Sequence, residues 1–208
     1  MTIVSLKTES GAGRTGDSDL NRIELSDGSL FSFRICYLPK EAASIEITEG
    51  GEITAAQEEG FRFASACLRA EKTALRLIAR AEQSCFGLTR KLRRRGHENS
   101  CVSAVITRLS GLNLINDERF AQLWIESRLR LSRSPRRLLL SLCGKGIDHK
   151  DAEAALKAVL DEETESEMLA RYAKRNLRKK NEQANSLKYL LSNEGFSRQA
   201  ISLFLNEE

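Results

Sequence analysis

The feature that most constrains the fold is a self-similarity that recurs about every fifty residues through the C-terminal part of the chain. Gly96, Gly146 and Gly195 are 50 and 49 residues apart, and two leucines precede each of them at matching positions. These pairs are Leu88 and Leu92, Leu138 and Leu142, and Leu187 and Leu191. A fixed period predicts an array of units that bury their apolar faces against their neighbours. The alternative is one helical bundle whose helices merely have similar lengths.

The middle unit, residues 112–160, predicts three helices with clear start signals. Asn116, followed by two acidic residues, places a capping side chain and negative charge where free backbone N–H groups need acceptors. Ser134 followed by Pro135 is typical of a second helix start. Asp148 is expected to cap the third helix. The corresponding caps in the other units are Ser84, Glu98 and Ser197.

Apolar side chains at helical spacing predict the buried face of the first helix in this unit. The predicted stripe consists of Phe120, Leu123, Trp124, Ser127 and Leu131. Trp124 is the only tryptophan of the chain, and its place on the stripe favours a position in the core. Stacking on a nucleic-acid base is the alternative interpretation.

Residues 1–60 have a different pattern, which predicts a small β-rich extension. Asp27-Gly28 separates two runs that alternate polar and apolar side chains, and this is a strong β-hairpin signal. Residues 44–48 offer one more strand. Because a hairpin alone is marginally stable, we expect the extension to pack on the first helical unit.

A glycine string, Gly11, Gly13 and Gly16, matches the G-x-G-x-x-G pattern of dinucleotide-binding loops. That pattern needs a preceding strand and a following helix whose N-terminus binds the phosphate. Here a strand-like run follows instead. A glycine-rich loop is therefore the favoured interpretation.

The sequence thus predicts a mainly α protein with a small N-terminal β-hairpin extension. The predicted segments are a β-rich extension at 1–60 and three-helix repeats at 61–112, 113–161 and 162–208. The extension carries 5 basic and 11 acidic residues, a net charge of −6, whereas the remainder carries a net charge of +10. Such an imbalance suggests that the helical part has an anionic partner.

The sequence contains no recognisable catalytic or metal-binding motif. The five cysteines are scattered outside any C-x-x-C pair, and the two histidines, His97 and His149, do not complete a zinc pattern. The neighbouring carboxylates Asp117 and Glu118 are accounted for by a helix start. We expect a binding protein without enzymatic activity, cofactor or metal. Without a run of about 18 apolar residues or a secretory signal, a cytoplasmic protein with no membrane partner is expected.

Basic residues recur near the end of a helix or at a helix junction in each unit. Leu88 and Leu92 face the core, so the arginines between and after them stand on outer faces, where they repel one another unless an anion compensates. A solvated face is the alternative. The predicted contact residues are Arg90, Lys91, Arg94 and Arg95 in the first unit, Arg128, Arg133, Arg136 and Arg137 in the second, and Lys174, Arg175, Arg178 and Lys179 in the third. One such cluster per repeat would form a basic stripe.

Three blocks together resemble the RecX family of regulatory proteins. The first runs from Ala74 to Arg80 and on through Ser84 to Leu92, and the second is Leu114–Ala121 with Trp124, Ile125 and Arg128. The third runs from Ser134 through Leu142 to Lys145-Gly146-Ile147. The similarity covers about residues 61–205, and the D-E-R-F-A block with a downstream K-G-I is fairly specific.

The resemblance implies tandem three-helix repeats in an elongated curved array, preceded in some members by a β-hairpin. It also implies binding in the groove of the RecA–DNA filament, with inhibition of RecA ATPase, strand exchange and coprotease activities, and hence regulation of DNA repair and the SOS response. Weak binding to single- or double-stranded DNA and a monomeric state are expected.

Two other functions are open from the residues alone. A stand-alone basic helical DNA-binding protein would have an affinity that falls steeply with salt. A helical adaptor with a different partner is the third hypothesis.

Overall fold

The computed structural model describes residues 1–9, 20–43, 47–131, 133–176 and 184–206. The chain forms two compact units. The first comprises Met1–Ala81 and Leu88–Leu114, and the second comprises Glu82–Gly87 and Ile115–Glu208. The glycine string at 11–16 and residues 44–46 of the suggested extra strand lie outside the described residues.

The N-terminal extension is a three-stranded antiparallel sheet in the order β1-β2-β3. Its strands are β1 (Ile3–Glu9), β2 (Leu20–Leu25) and β3 (Leu30–Arg34). The predicted hairpin is confirmed, because β2 pairs with β3 across a turn in which Gly28 has a φ of 83°. The strand β1 was not predicted. It pairs along β2 through six registered residue pairs, while the described residues 47 and 48 form no strand.

The sheet packs on the long helix α2 within the first unit, as expected. A short 3₁₀ turn (Ile35–Tyr37) and α1 (Lys40–Ala43) lead to α2 (Ala55–Ile78), which begins with a capping box between Thr54 and Gln57. The rings of Phe33 and Phe61 stack with centroids 5.2 Å apart, and both side chains are fully buried. This aromatic contact joins the apolar face of the sheet to the helical core.

Helices α3 to α10 follow the helix start and stop signals predicted from the sequence. The first unit contains most of α3 (Cys85–Arg93) and α4 (Asn99–Gly111). The second contains α5 (Asp117–Glu126), α6 (Pro135–Cys143), α7 (His149–Val159), α8 (Glu162–Asn176), α9 (Ala184–Asn193) and α10 (Arg198–Asn206). No helix of the described part of the chain is long and apolar enough to cross a membrane.

The three glycines that set the repeat have the same backbone role. Gly96, Gly146 and Gly195 have φ angles of 81°, 84° and 87°, in the left-handed region that favours glycine. In each turn the glycine N–H bonds to a carbonyl three residues back, and the next N–H bonds to one five residues back. This is the Schellman ending of an α-helix, formed at three equivalent positions.

Most of the predicted caps are confirmed. Asn116, Ser134 and Asp148 accept hydrogen bonds from backbone N–H groups in the first turns of α5, α6 and α7. Ser84 and Ser197 do the same for α3 and α10, at 3.0 and 3.1 Å. Glu98 occupies the N-cap position of α4, but its side chain makes no capping hydrogen bond.

The predicted apolar stripe of α5 is partly wrong. Trp124 is buried in the core, with 8% of its surface exposed, whereas Leu123 and Leu131 are 46% and 45% exposed. The inward face is formed by Ala121, Trp124 and Ile125, at spacings of three and four residues. Leu131 lies beyond the end of α5 at Glu126, so the helical period no longer determines its direction.

A buried ion group holds the sheet to two helices of the first unit. Glu71 on α2 pairs with Arg34 on β3 at 2.8 Å and with Arg108 on α4 at 3.5 Å. The side chains of Glu71 and Arg34 are only 3% and 8% exposed. One carboxylate thus serves two guanidinium groups.

Candidate partner-binding surface

The basic residues predicted at the end of α3 lie at the surface of the first unit. Arg90 and Lys91 are in the last turn, where positive charge interacts favourably with the helix dipole, and Arg94 and Arg95 follow. The three arginines are exposed, and Lys91 is half-buried. Partial burial, followed by the charges of Arg69 and Arg95, lowers the pKa of the neighbouring His97. This end of α3 therefore carries several positive charges at the surface, and its contact with an anionic partner stays a prediction.

Arg128 is positioned by Trp124 in the second unit. Its guanidinium carbon lies 4.0 Å from the centroid of the indole ring, and Nη1 donates to the Trp124 carbonyl at 3.2 Å. Partial burial, and then the nearby charge of Arg133, lowers the pKa of Arg128. Two of the predicted contact residues are thus close enough in space to repel each other.

Lys145 is a member of this surface that the list of predicted contacts missed. Its Nζ lies 5.4 Å from the centroid of the Trp124 ring, so Lys145, Arg128 and Trp124 form what we call the Trp124 cluster. Trp124 lies in the core of the second unit and positions two cations by cation–π attraction. The K-G-I block was the available signal, but only the fold shows that its lysine reaches a tryptophan 21 residues earlier.

Arg136 has a structural role, and this distinguishes it from its exposed neighbour Arg137. The backbone N–H of Arg136 donates to the Glu194 carbonyl at 3.0 Å, and its Nη1 donates to the Asn193 carbonyl at 3.2 Å. Both acceptors lie at the end of α9. Arg136 therefore connects the second and third repeats, and replacing it would change packing as well as charge.

The remaining predicted contacts belong to the third repeat. Lys174 and Arg175 are exposed in the last turn of α8, which favours cations. Arg178 and Lys179 lie outside the described residues. A basic stripe formed by all three groups stays a prediction.

The chemistry of these groups is that of a binding surface. Within the described ranges, no cluster of three or more His, Cys, Asp or Glu side chains is arranged to hold a metal ion. Burial, together with the charge of Asp117, raises the pKa of the Cys85 thiol to about 11, which disfavours the nucleophilic thiolate. Exposed guanidinium and ammonium groups can instead neutralise carboxylates or phosphates.

The fold and this surface define a class: tandem three-helix-repeat proteins with basic helix ends and an N-terminal sheet. Residues 70–109 match the family model described as "RecX, first three-helix domain", and residues 116–156 match "RecX, second three-helix domain". The regulatory protein RecX of Treponema pallidum is 35% identical over 136 residues, which are 65% of this chain and 82% of that protein. The chain belongs to the RecX family.

Other RecX proteins are similar to this chain at lower sequence identity. The regulatory protein RecX of Caldanaerobacter subterraneus is 26% identical over 160 residues, 77% of this chain and 81% of that protein. A crystal structure of regulatory protein RecX aligns with a TM-score of 0.71 over 100% of this chain and 99% of its own, and at 19% identity it supports the fold alone. RecX from Lactobacillus salivarius aligns with a TM-score of 0.55 at 26% identity, over 69% of this chain and 97% of its own.

Proposed function

We propose that this protein binds the RecA–DNA filament and inhibits the ATPase, strand-exchange and coprotease activities of RecA. The observation that carries the proposal is membership of a family of regulatory proteins, at 35% identity over 82% of a relative. In this role the protein regulates DNA repair and recombination, works in the cytoplasm as a monomer and performs no catalysis of its own.

The distribution of charge supports a partner that is anionic and extended. The exposed arginines at the end of α3, the Trp124 cluster and the end of α8 each offer positive charge at a different repeat. Several modest contacts to neighbouring protomers of a filament add through avidity, because the second contact forms at a high effective concentration. Such a surface suits a repeated target such as a protein filament on DNA.

The test is the DNA-dependent ATP hydrolysis of RecA with this protein titrated in, on excess single-stranded DNA. We expect inhibition at protein concentrations far below those that would coat the DNA. Inhibition that appears only when the protein saturates the DNA would mean simple competition and would contradict the proposal.

The second candidate is a stand-alone DNA-binding protein, which the net charge of +10 on residues 61–208 favours. Neutralising phosphates releases counterions, so such binding falls steeply with rising salt. Salt-sensitive DNA binding with no effect on RecA ATPase would select this candidate over the first.

A further inference from the structure

The second unit contains an open groove between α6 and α7, with a volume of about 470 Å³. Its apolar lining consists of two residues of α6 and two from α7 and its C-cap, namely Pro135, Leu139, Leu156 and Leu160. Pro135 and Leu156 are buried, whereas Leu139 and Leu160 are half-buried. The two half-buried leucines pack against the core of the unit and still leave part of their surface open to the groove. We call this feature the α6–α7 groove.

One wall of the α6–α7 groove is a single face of α7. Its members recur at spacings of three and four residues, as Glu153, Leu156, Lys157 and Leu160. They extend over about two helical turns, or about 10 Å. An open groove of this length with an apolar floor fits one face of a helix, because a helix also presents its apolar side chains one turn apart.

The charges that the groove offers to a ligand are positive. Lys157 and Arg136 are exposed in its lining, and neither pairs with a carboxylate within the part of the chain that the structure describes. The two carboxylates of the lining have neighbours inside the fold. Glu165 accepts a hydrogen bond at 2.7 Å from the backbone N–H of the residue before α10, and Glu153 lies 3.7 Å from Nδ1 of His149, which is outside the lining. The groove is therefore complementary to an apolar surface bordered by negative charge.

Packing of the repeats does not account for these residues. Fifty positions earlier, in the first repeat, the residues that correspond to Lys157 and Leu160 are Thr107 and Ser110. The position of Leu156 is apolar in both repeats. The repeat therefore needs the apolar residue at 156, which is buried, but it forms without a lysine at 157 or a leucine at 160. A leucine and a lysine at the edge of an open groove instead suit a bound partner.

We infer that the α6–α7 groove binds an amphipathic helix of a partner protein whose apolar face is bordered by carboxylates. Two large apolar side chains of that helix, one turn apart, pack on Leu139 and Leu160, and its carboxylates face Lys157 and the guanidinium of Arg136. Burial of apolar surface supplies most of the affinity, and the charges at the edge set the orientation. This binding goes beyond the proposed action on RecA and needs neither RecA nor DNA.

The experiment titrates the ¹⁵N-labelled full chain with a helical alanine-based peptide that carries two leucines four residues apart, each flanked by a glutamate. We expect the amide signals of Leu139, Lys157 and Gly195, which all line the groove, to shift. A matched peptide with alanine in place of both leucines should bind at least about tenfold more weakly, because it buries less apolar area. Equal binding of the two peptides, or shifts confined to residues outside the lining, would overturn the proposal.

Two charge variants of α7 locate the contact. Lys157→Glu places negative charge in the lining and should weaken binding of the glutamate peptide at least about threefold. Lys150→Glu makes the same change on the same helix outside the lining and should leave the affinity unchanged. Both lysines are exposed, so both variants should unfold close to the midpoint of the parent. Equal affinities of the two variants for the glutamate peptide would refute the site.

Discussion

The hydroxyl of Ser84 donates a hydrogen bond to the backbone carbonyl of Lys145, 61 residues later, at 3.0 Å. The hydroxyl of Ser134 makes the corresponding contact with the side chain of Glu194, 60 residues later. In both cases the N-terminus of one repeat's second helix meets the residue before the left-handed glycine of the next repeat. The repeat period therefore corresponds to one type of contact between neighbouring repeats, which forms twice within the second unit.

This contact between repeats predicts that the same substitution changes stability by different amounts at two equivalent glycines. A Cβ on Gly146 would lie 2.3 Å from the Cβ of Phe86, whereas a Cβ on Gly96 would meet nothing within 4 Å. Both substitutions to alanine incur the left-handed backbone penalty of about 1–2 kcal/mol. Gly146→Ala adds overpacking, which costs roughly a further 1–3 kcal/mol.

Urea denaturation of the two variants measures this difference. We expect Gly146→Ala to lose clearly more free energy of unfolding than Gly96→Ala. Equal losses would mean that the packing of Phe86 against the glycine turn adds nothing to the backbone effect.

The parts of the fold that could be predicted from the sequence are those determined by residues close together along the chain. A cap, a leucine pair and a glycine lie within one helix and its turn, so Ser134, Leu138, Leu142 and Gly146 indicate each other's roles. The buried face of α5 was harder to predict. Leu123 and Trp124 are adjacent in sequence, and only packing against the surrounding helices determines which of them faces inward.

Contacts between distant residues could not be predicted. The carboxylate of Asp117 accepts a hydrogen bond from the backbone N–H of Cys85 at 2.8 Å, so it serves α3 although the sequence places it at the start of α5. Pairing of β1 with β2 and the position of Lys145 beside Trp124 likewise depend on chain folding over long separations.

Removing the carboxylate of the buried ion group should destabilise the first unit strongly. Glu71→Leu leaves the guanidiniums of Arg34 and Arg108 without their shared anion, and breaking a buried pair in this way costs about 3–5 kcal/mol. Arg108→Met leaves the shorter pair between Arg34 and Glu71 intact and should cost much less. Thermal unfolding of both variants tests the order, and a more stable Glu71→Leu protein would show that the ion group opposes folding.

The thiol of Cys85 should react slowly at neutral pH. Burial, and next the negative charge of Asp117, disfavours the thiolate and raises the pKa of Cys85 to about 11 from the ordinary value of 9.0. The reactive fraction at pH 8 is therefore about a hundredfold smaller than for an ordinary thiol, and it increases as the pH approaches 11.

Alkylation with iodoacetamide, read by mass spectrometry against pH, checks this prediction. The exposed Cys36 is the internal reference for a faster thiol. Asp117→Asn removes the nearby charge and should move the pH profile of Cys85 to lower pH. A profile unchanged by this substitution would leave burial as the sole cause.

Trp124→Ala should destabilise the second unit by about 3–5 kcal/mol, because the indole lies in the core. Trp124→Phe keeps an aromatic ring beside Arg128 and Lys145 and should lose less. Denaturant unfolding monitored by circular dichroism gives both values. If Trp124→Ala unfolded like the parent, the side chain would contribute nothing to the core, and its interaction with the two cations would have to be its role.

The proposed regulatory surface predicts that reversing charge at the end of α3 separates binding from folding. Arg90, Arg94 and Arg95 are exposed, and exposed charges contribute little to stability, so changing all three to Glu should leave the unfolding midpoint nearly unchanged. Inhibition of RecA ATPase should weaken, because three attractive charges become repulsive.

The matched control changes the exposed Arg62, Lys72 and Arg76 of α2 to Glu, with the same change in net charge. If both triple variants lost inhibition equally, the effect would come from net charge, and unchanged inhibition by the α3 variant would remove this end of the helix from the surface. Loss confined to the α3 variant is the outcome we expect, since a partner bound at a defined surface responds to where the charge is placed.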